Sequence, residues 1–113
     1  MTRSDWKARA LAALPSIGNS EFTAPNLAHI IRRFEHPEHR AIRKADQTAQ
    51  PRTFHWLAAV RQWEKDNPGC SASNMRRLCE RLTAEGVLET RLEKRGWFER
   101  RFYSVKGAEG GEG

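Results

Sequence analysis

The chain has 113 residues, a length that suits one domain rather than two. Apolar residues make up 38% and charged residues 30%, so the apolar ones must cluster to close a core, and the net charge of +6 favours an acidic partner, nucleic acid before an anionic membrane surface. No apolar run is long enough to span a bilayer, and Arg3, Asp5, Lys7 and Arg9 interrupt the apolar block a secretory signal needs, so a cytoplasmic, nucleoid-associated protein is expected.

Residues Ser4 to Leu14 read as a first helix with Trp6, Ala10, Ala13 and Leu14 on one face, stopped by Pro15. A turn-rich loop, Ser16 to Ser20, leads to Glu21-Phe22-Thr23, the length of a very short strand. Thr23 is a good N-cap and Pro25 suits the first turn of a second helix. Leu27, Ile30, Ile31 and Phe34 form its stripe at three- and four-residue spacing. His36 to His39 breaks the pattern, and Arg40 to Gln50 fits either a short solvated helix or a loop. Thr53 to Lys65 reads as another helix, with Trp56, Leu57, Val60 and Trp63 in one stripe and Phe54 and Ala58 beside it. That stripe admits two readings, a core face or, in part, a dimer interface.

Asp66-Asn67-Pro68-Gly69 is a stop and turn, after which Ser71 or Ser73 caps a helix running to about Glu85, with Gly86 at its C-terminal cap. Met75, Leu78, Cys79 and Leu82 fall on one side of this helix. Ser73, Arg76, Arg77, Glu80 and Ala84 fall on the other. From Val87 the period becomes two, as in a strand, and Phe98 to Val105 is a second such run. Glu93-Lys94-Arg95-Gly96 between them makes a hairpin turn with a basic tip. Arg91, Lys94, Arg95, Arg100, Arg101 and Lys106 crowd this hairpin with Trp97, Phe98, Phe102 and Tyr103 interleaved. Residues 107–113 are rich in glycine and glutamate and are expected to be a disordered tail.

The fold class expected is mainly α with a C-terminal β-hairpin. The run from Ser71 through Arg91, followed by Arg101-Phe-Tyr-Ser-Val, resembles the recognition helix and wing of winged helix-turn-helix regulators, including MarR-like and ArsR-like repressors. The segment from Asp5 through Phe34 resembles the first helix, short strand and second helix of that fold. The resemblance implies a winged-helix domain over residues 1–106, with a recognition helix at about 72–85 and a wing at about 87–105. It implies that Ser73, Asn74, Arg76 and Arg77 face DNA bases or nearby phosphates, and that Lys94 and Arg95 occupy the wing tip. Ser71, Arg81, Arg91 and Arg100 extend this DNA-binding surface. One departure stands out: residues 35 to 71, including a whole helix, separate the second helix from the recognition helix. Either Thr53–Lys65 is the first helix of the motif, or the motif carries an insertion.

Sequence-specific binding of double-stranded DNA, as a small transcriptional regulator or repressor of a bacterium, phage or mobile element, is the expected function. The alternative is a winged-helix protein-interaction module, or an inhibitor docking on a nucleic-acid-handling complex; RNA binding shares the same charge. A homodimer is an expectation, and so is the absence of any membrane partner. No P-loop, Gly-x-Ser-x-Gly or His-Glu-x-x-His motif points to an enzyme, and no cofactor is expected. His36 and His39 are close enough to share a metal, but no cysteine or carboxylate pattern completes a ligand set. Cys70 and Cys79 are expected as free thiols, Cys79 on an apolar helix face.

Overall fold

A computed structural model describes residues 5–107. The order is α1 (Trp6–Ala13) with a 3₁₀ turn (Leu14–Ile17), α2 (Ala24–Glu35), α3 (Glu38–Thr48), α4 (His55–Asp66), α5 (Ala72–Ala84), β1 (Leu88–Arg95) and β2 (Phe98–Val105). The fold is therefore mainly helical and closes with an antiparallel two-stranded hairpin. Ser4, expected at the start of the first helix, and residues 108–113 of the expected tail lie outside the described residues.

Local chemistry explains most boundaries. Asp5 Oδ1 accepts the Ala8 amide at 3.1 Å and starts α1. Ser71, not Ser73, caps α5, its Oγ accepting the Asn74 amide at 3.2 Å. Thr23 holds the N-cap position of α2, but its hydroxyl turns to Asn26 Oδ1 at 2.6 Å instead of a backbone amide. Gly86, at φ 83, follows the last turn of α5 and hands the chain to β1.

The core joins α1, α2, α5 and the base of the hairpin. Ala10 and Ala13 of α1 carry no bulk, so α2 approaches closely with Leu27, Ala28, Ile30 and Ile31. Met75, Leu78, Cys79 and Leu82 of α5 meet that face, and Leu88 and Tyr103 close it from the hairpin. Phe22 exchanges two backbone hydrogen bonds with Tyr103, at 2.9 and 2.8 Å, so the expected very short strand is a single bridged residue on the edge of the hairpin. Two carboxylates tie the first turn of α1 to its neighbours: Glu35 takes a two-nitrogen contact from Arg9, and Glu85 pairs with Lys7 at 2.8 Å.

The segment between α2 and α5 forms its own antechamber. Most of the polar stretch Arg40 to Gln50 is helical rather than a loop: α3 starts at Glu38 and ends at Thr48. It packs on α4, and α4 reaches the main core through Trp63, whose ring meets Trp6 edge-on at 6.0 Å. The principal helical partner of α5 is α2, not α4. Residues 36–71 are thus inserted between two helices that pack together.

Two expectations need correction. The turn expected at Glu93–Gly96 lies two residues later: Arg95 still pairs with Phe98, and Gly96-Trp97 is the whole loop. Gly96 takes φ 60 while Trp97 keeps a negative φ, the φ pattern of a type II′ hairpin turn, which wants glycine first. Phe34 was expected in the buried stripe of α2 but is 46% exposed, because it lies at the end of α2 beyond the reach of the core. Of the α4 stripe, read as a core face or in part a dimer interface, only Val60 and Trp63 are buried; Leu57 and Phe54, the residue before the helix, are exposed, because α4 is covered on one side only, by α3 and the Trp6 edge of the core.

Candidate nucleic-acid interface

Helix α5 presents Ser73, Asn74, Arg76, Arg77, Glu80, Arg81 and Ala84 to solvent, as its periodicity demands once Met75, Leu78, Cys79 and Leu82 are buried. Beside it the hairpin rises. Residues on one hairpin face run Val105, Tyr103, Arg101 and Glu99 along β2, opposite Leu88, Thr90, Leu92 and Lys94. Tyr103 is buried toward α5; burial, then the nearby Cys79, push its phenol above its usual range while Arg101 and Arg76 pull the other way. Arg101, two residues along the same face, therefore continues the surface that looks at α5, and its NH1 donates to Thr90 Oγ1 at 3.2 Å.

Between α5 and β2 lies an open groove of about 680 Å³. Arg76 and Glu80 form one wall and β2 from Glu99 to Tyr103 the other, with Arg101 on the face toward α5 and Arg100 on the opposite face, over the Phe98 ring at 5.0 Å; Glu21 and the first turn of α2 with Pro25 and Asn26 form the floor. The charges around it divide by pairing. Arg91 is committed to Glu21 through two contacts of 2.8 and 2.7 Å, which raise its pKa and hold the Glu21 carboxyl below its usual range. Arg81 pairs with Glu85 at 3.3 Å, Lys94 with Glu99 at 3.6 Å and Arg95 with Glu93 at 3.4 Å. Among the described residues, Arg76, Arg77, Arg100 and Arg101 make no salt bridge, and three of these four line the groove.

The sequence-derived surface thus separates into three groups. Ser73, Asn74, Arg76, Arg77 and Arg100 are exposed and free of carboxylates, with Asn74 Oδ1 at 3.5 Å from Arg77. Lys94, Arg95 and Arg81 are exposed but screened by neighbouring glutamates. Ser71 is occupied in capping α5, and Arg91 in bracing the hairpin against Glu21. Two residues were missing from that surface. Arg101 was readable from the period of two, since it shares a face with the inward-facing Tyr103. Trp97, expected near the wing tip and either packed on the hairpin or exposed to a sugar or a partner, is 93% exposed and forms half of the two-residue loop.

His36, Glu38 and His39 offer donor atoms that all lie within 4.8 Å of one another, so the structure supplies the carboxylate the spacing did not suggest. His39 Nδ1 is already engaged by the Arg32 guanidinium at 2.8 Å. A cation there would sit beside that guanidinium, which disfavours it. No helix among the described residues is long and apolar enough to cross a membrane. Comparison with protein-family models, with curated proteins and with solved structures gives no match.

Proposed function

We propose that the chain is a winged helix-turn-helix protein that binds double-stranded DNA, with α5 as recognition helix and the β1–β2 hairpin as wing. The observation that carries this reading is a groove beside the free face of α5 lined by Arg76, Arg100 and Arg101, none held by a carboxylate, with Glu21 and Glu99 of the same lining already paired to Arg91 and Lys94. A backbone strand seated between helix and hairpin would meet Arg100 and Arg101 as phosphate contacts. Arg76, Arg77 and Asn74 would face base edges in the major groove, arginine suiting guanine and asparagine adenine. Glu80, one turn further, suits a cytosine amino group. On this reading α2 and α5 form the helix-turn-helix, and α3–α4 is an insertion into its turn. A role as a small transcriptional regulator or repressor follows from the same surface.

Salt-titrated shift assays test it. Arg77→Ala should cost about 1–3 kcal/mol on a selected duplex and relax preference at one base pair, whereas Arg101→Ala should weaken all duplexes alike and reduce the salt slope by about 1. Wild-type affinity in both variants would contradict the proposal. Selection from a random duplex library adds the oligomeric answer, because a palindromic site implies two copies.

One observation favours a second reading. An almost fully exposed tryptophan at a hairpin tip is also the kind of aromatic anchor that protein interfaces use. The DNA reading places Trp97 as an apolar wedge or sugar contact in the minor groove. Trp97→Ala should then lower duplex affinity; unchanged duplex affinity, with loss of a stable protein complex, would favour the interaction module.

A further inference from the structure

Helices α2, α3 and α4 enclose a cleft of about 350 Å³ on the insertion side of the molecule. The most buried of its lining residues is Arg32 of α2, only 2% exposed. One of its terminal nitrogens bonds His39 Nδ1 at 2.8 Å, but its buried Nε has no hydrogen-bond partner. Arg33, Arg40 and Arg43 line the same cleft, and no carboxylate does. None of these four guanidiniums makes a salt bridge among the described residues. Glu64, exposed on α4, is the one acidic group that pulls on Arg32 from outside the lining.

This arrangement is costly as it stands. A buried cation is ordinarily paired, and an arginine Nε–H out of water ordinarily has an acceptor. Here like charges converge instead. Their field is visible on the two histidines: burial first, then Arg32, keeps both His29 and His39 below the usual imidazole range, with Arg33 adding to the effect at His29. The aromatic wall is taken as well, since the Arg43 and Arg32 guanidiniums lie 4.7 and 5.6 Å from the Trp56 ring centre. A flat ring has no clear face to stack on, and a divalent cation would meet four guanidiniums with no carboxylate in the lining to offset them. What the cleft lacks is an acceptor-only, multiply charged group with several oxygens. Guanidinium forks match such a group through paired hydrogen bonds.

We propose that this cleft binds a phosphoryl group, with Arg32 at its base and Arg33, Arg40 and Arg43 at its mouth. The size, at the lower end for ligand pockets, suits a small phosphorylated molecule or a single backbone phosphate of a nucleic acid. The phosphate arm of the test below is independent of the DNA-binding proposal.

The full chain is titrated with inorganic phosphate, then pyrophosphate, at constant ionic strength against chloride, following the Trp56 indole and the amides of α2 and α3 by NMR. Saturable shifts confined to these positions are expected. The Arg40→Gln/Arg43→Gln double variant, whose residues are exposed and whose fold circular dichroism would verify, should bind about tenfold more weakly or worse. Arg61→Gln, exposed on α4 outside the cleft, should bind as wild type. A second arm measures duplex affinity for the same variants. Phosphate binding that depends on Arg40 and Arg43, with no extra loss of duplex affinity, assigns a free phosphorylated ligand. Loss of duplex affinity beyond that of Arg61→Gln assigns a backbone phosphate. The proposal is overturned if phosphate does no more than chloride and the double variant binds duplex like Arg61→Gln.

Discussion

Gly69 and Gly86 both have positive φ, but only one of them is also enclosed. At Gly69, φ is 104 and an added Cβ would lie 2.8 Å from the Trp6 indole nitrogen, which is itself held against Trp63 and under Arg9. At Gly86, φ is 83 and the space is open. Gly69→Ala should therefore lose about 2 kcal/mol or more in urea denaturation, and Gly86→Ala only about 1 kcal/mol. Equal losses would show that the Trp6 contact carries no cost. Cys79 makes a second residue-scale test. It is fully buried, and burial, with Glu80 adding, pushes its thiol up to about 12. At pH 8 it stays protonated and inaccessible, so a thiol reagent should modify Cys79 only as the protein unfolds; two fast-reacting thiols in the native protein would contradict this. The place of Cys79 was legible because it repeats with Met75, Leu78 and Leu82. The Gly69–Trp6 contact was not, because it joins residues far apart in the chain.

At the scale of elements, α4 starts without a cap of its own: Phe54 supplies no side-chain acceptor. Asp46, buried on α3, substitutes for it. Its two oxygens accept Thr53 Oγ1 and the Trp56 amide, both at 2.6 Å. Burial alone would raise the Asp46 carboxyl, but these bonds, with His55, outweigh it and hold it below its usual range. A pKa lowered in the folded state means that the ionised carboxylate stabilises the α3–α4 pair above the unfolded value of about 3.9 and loses that effect as pH falls through the folded value. Asp46→Asn should lower the melting temperature at pH 7 and flatten the acid limb of stability below it; an unchanged acid limb would contradict the capping role. The helices with apolar periodicity, α2, α4 and α5, were readable from sequence. Helix α3 was not, because its exposed surface is polar and what it buries is His39 and Asp46, residues that give no hydrophobic signal. The hairpin was readable in its strands but misplaced by two residues at its tip, where Gly96 alone determines the loop.

For the whole molecule, the excess of positive charge is not spread evenly. Glutamates neutralise Arg91, Lys94, Arg95 and Arg81, so the basic hairpin is less basic than its composition suggests. Among the described residues, most of the guanidiniums without a salt bridge line either the groove between α5 and β2 or the cleft of the insertion, while Arg52, Arg61 and Arg77 lie in neither. Composition gave the class of partner expected, and periodicity gave the face of α5, but which cations remain free depends on tertiary pairing. Chemical-shift mapping with a short selected duplex addresses the groove directly. The largest changes should fall on Ser73 to Ala84 along the exposed face of α5, on Arg100 and Arg101, and on the Trp97 indole. Saturable duplex binding that leaves these resonances unmoved would contradict the assignment of this groove to DNA.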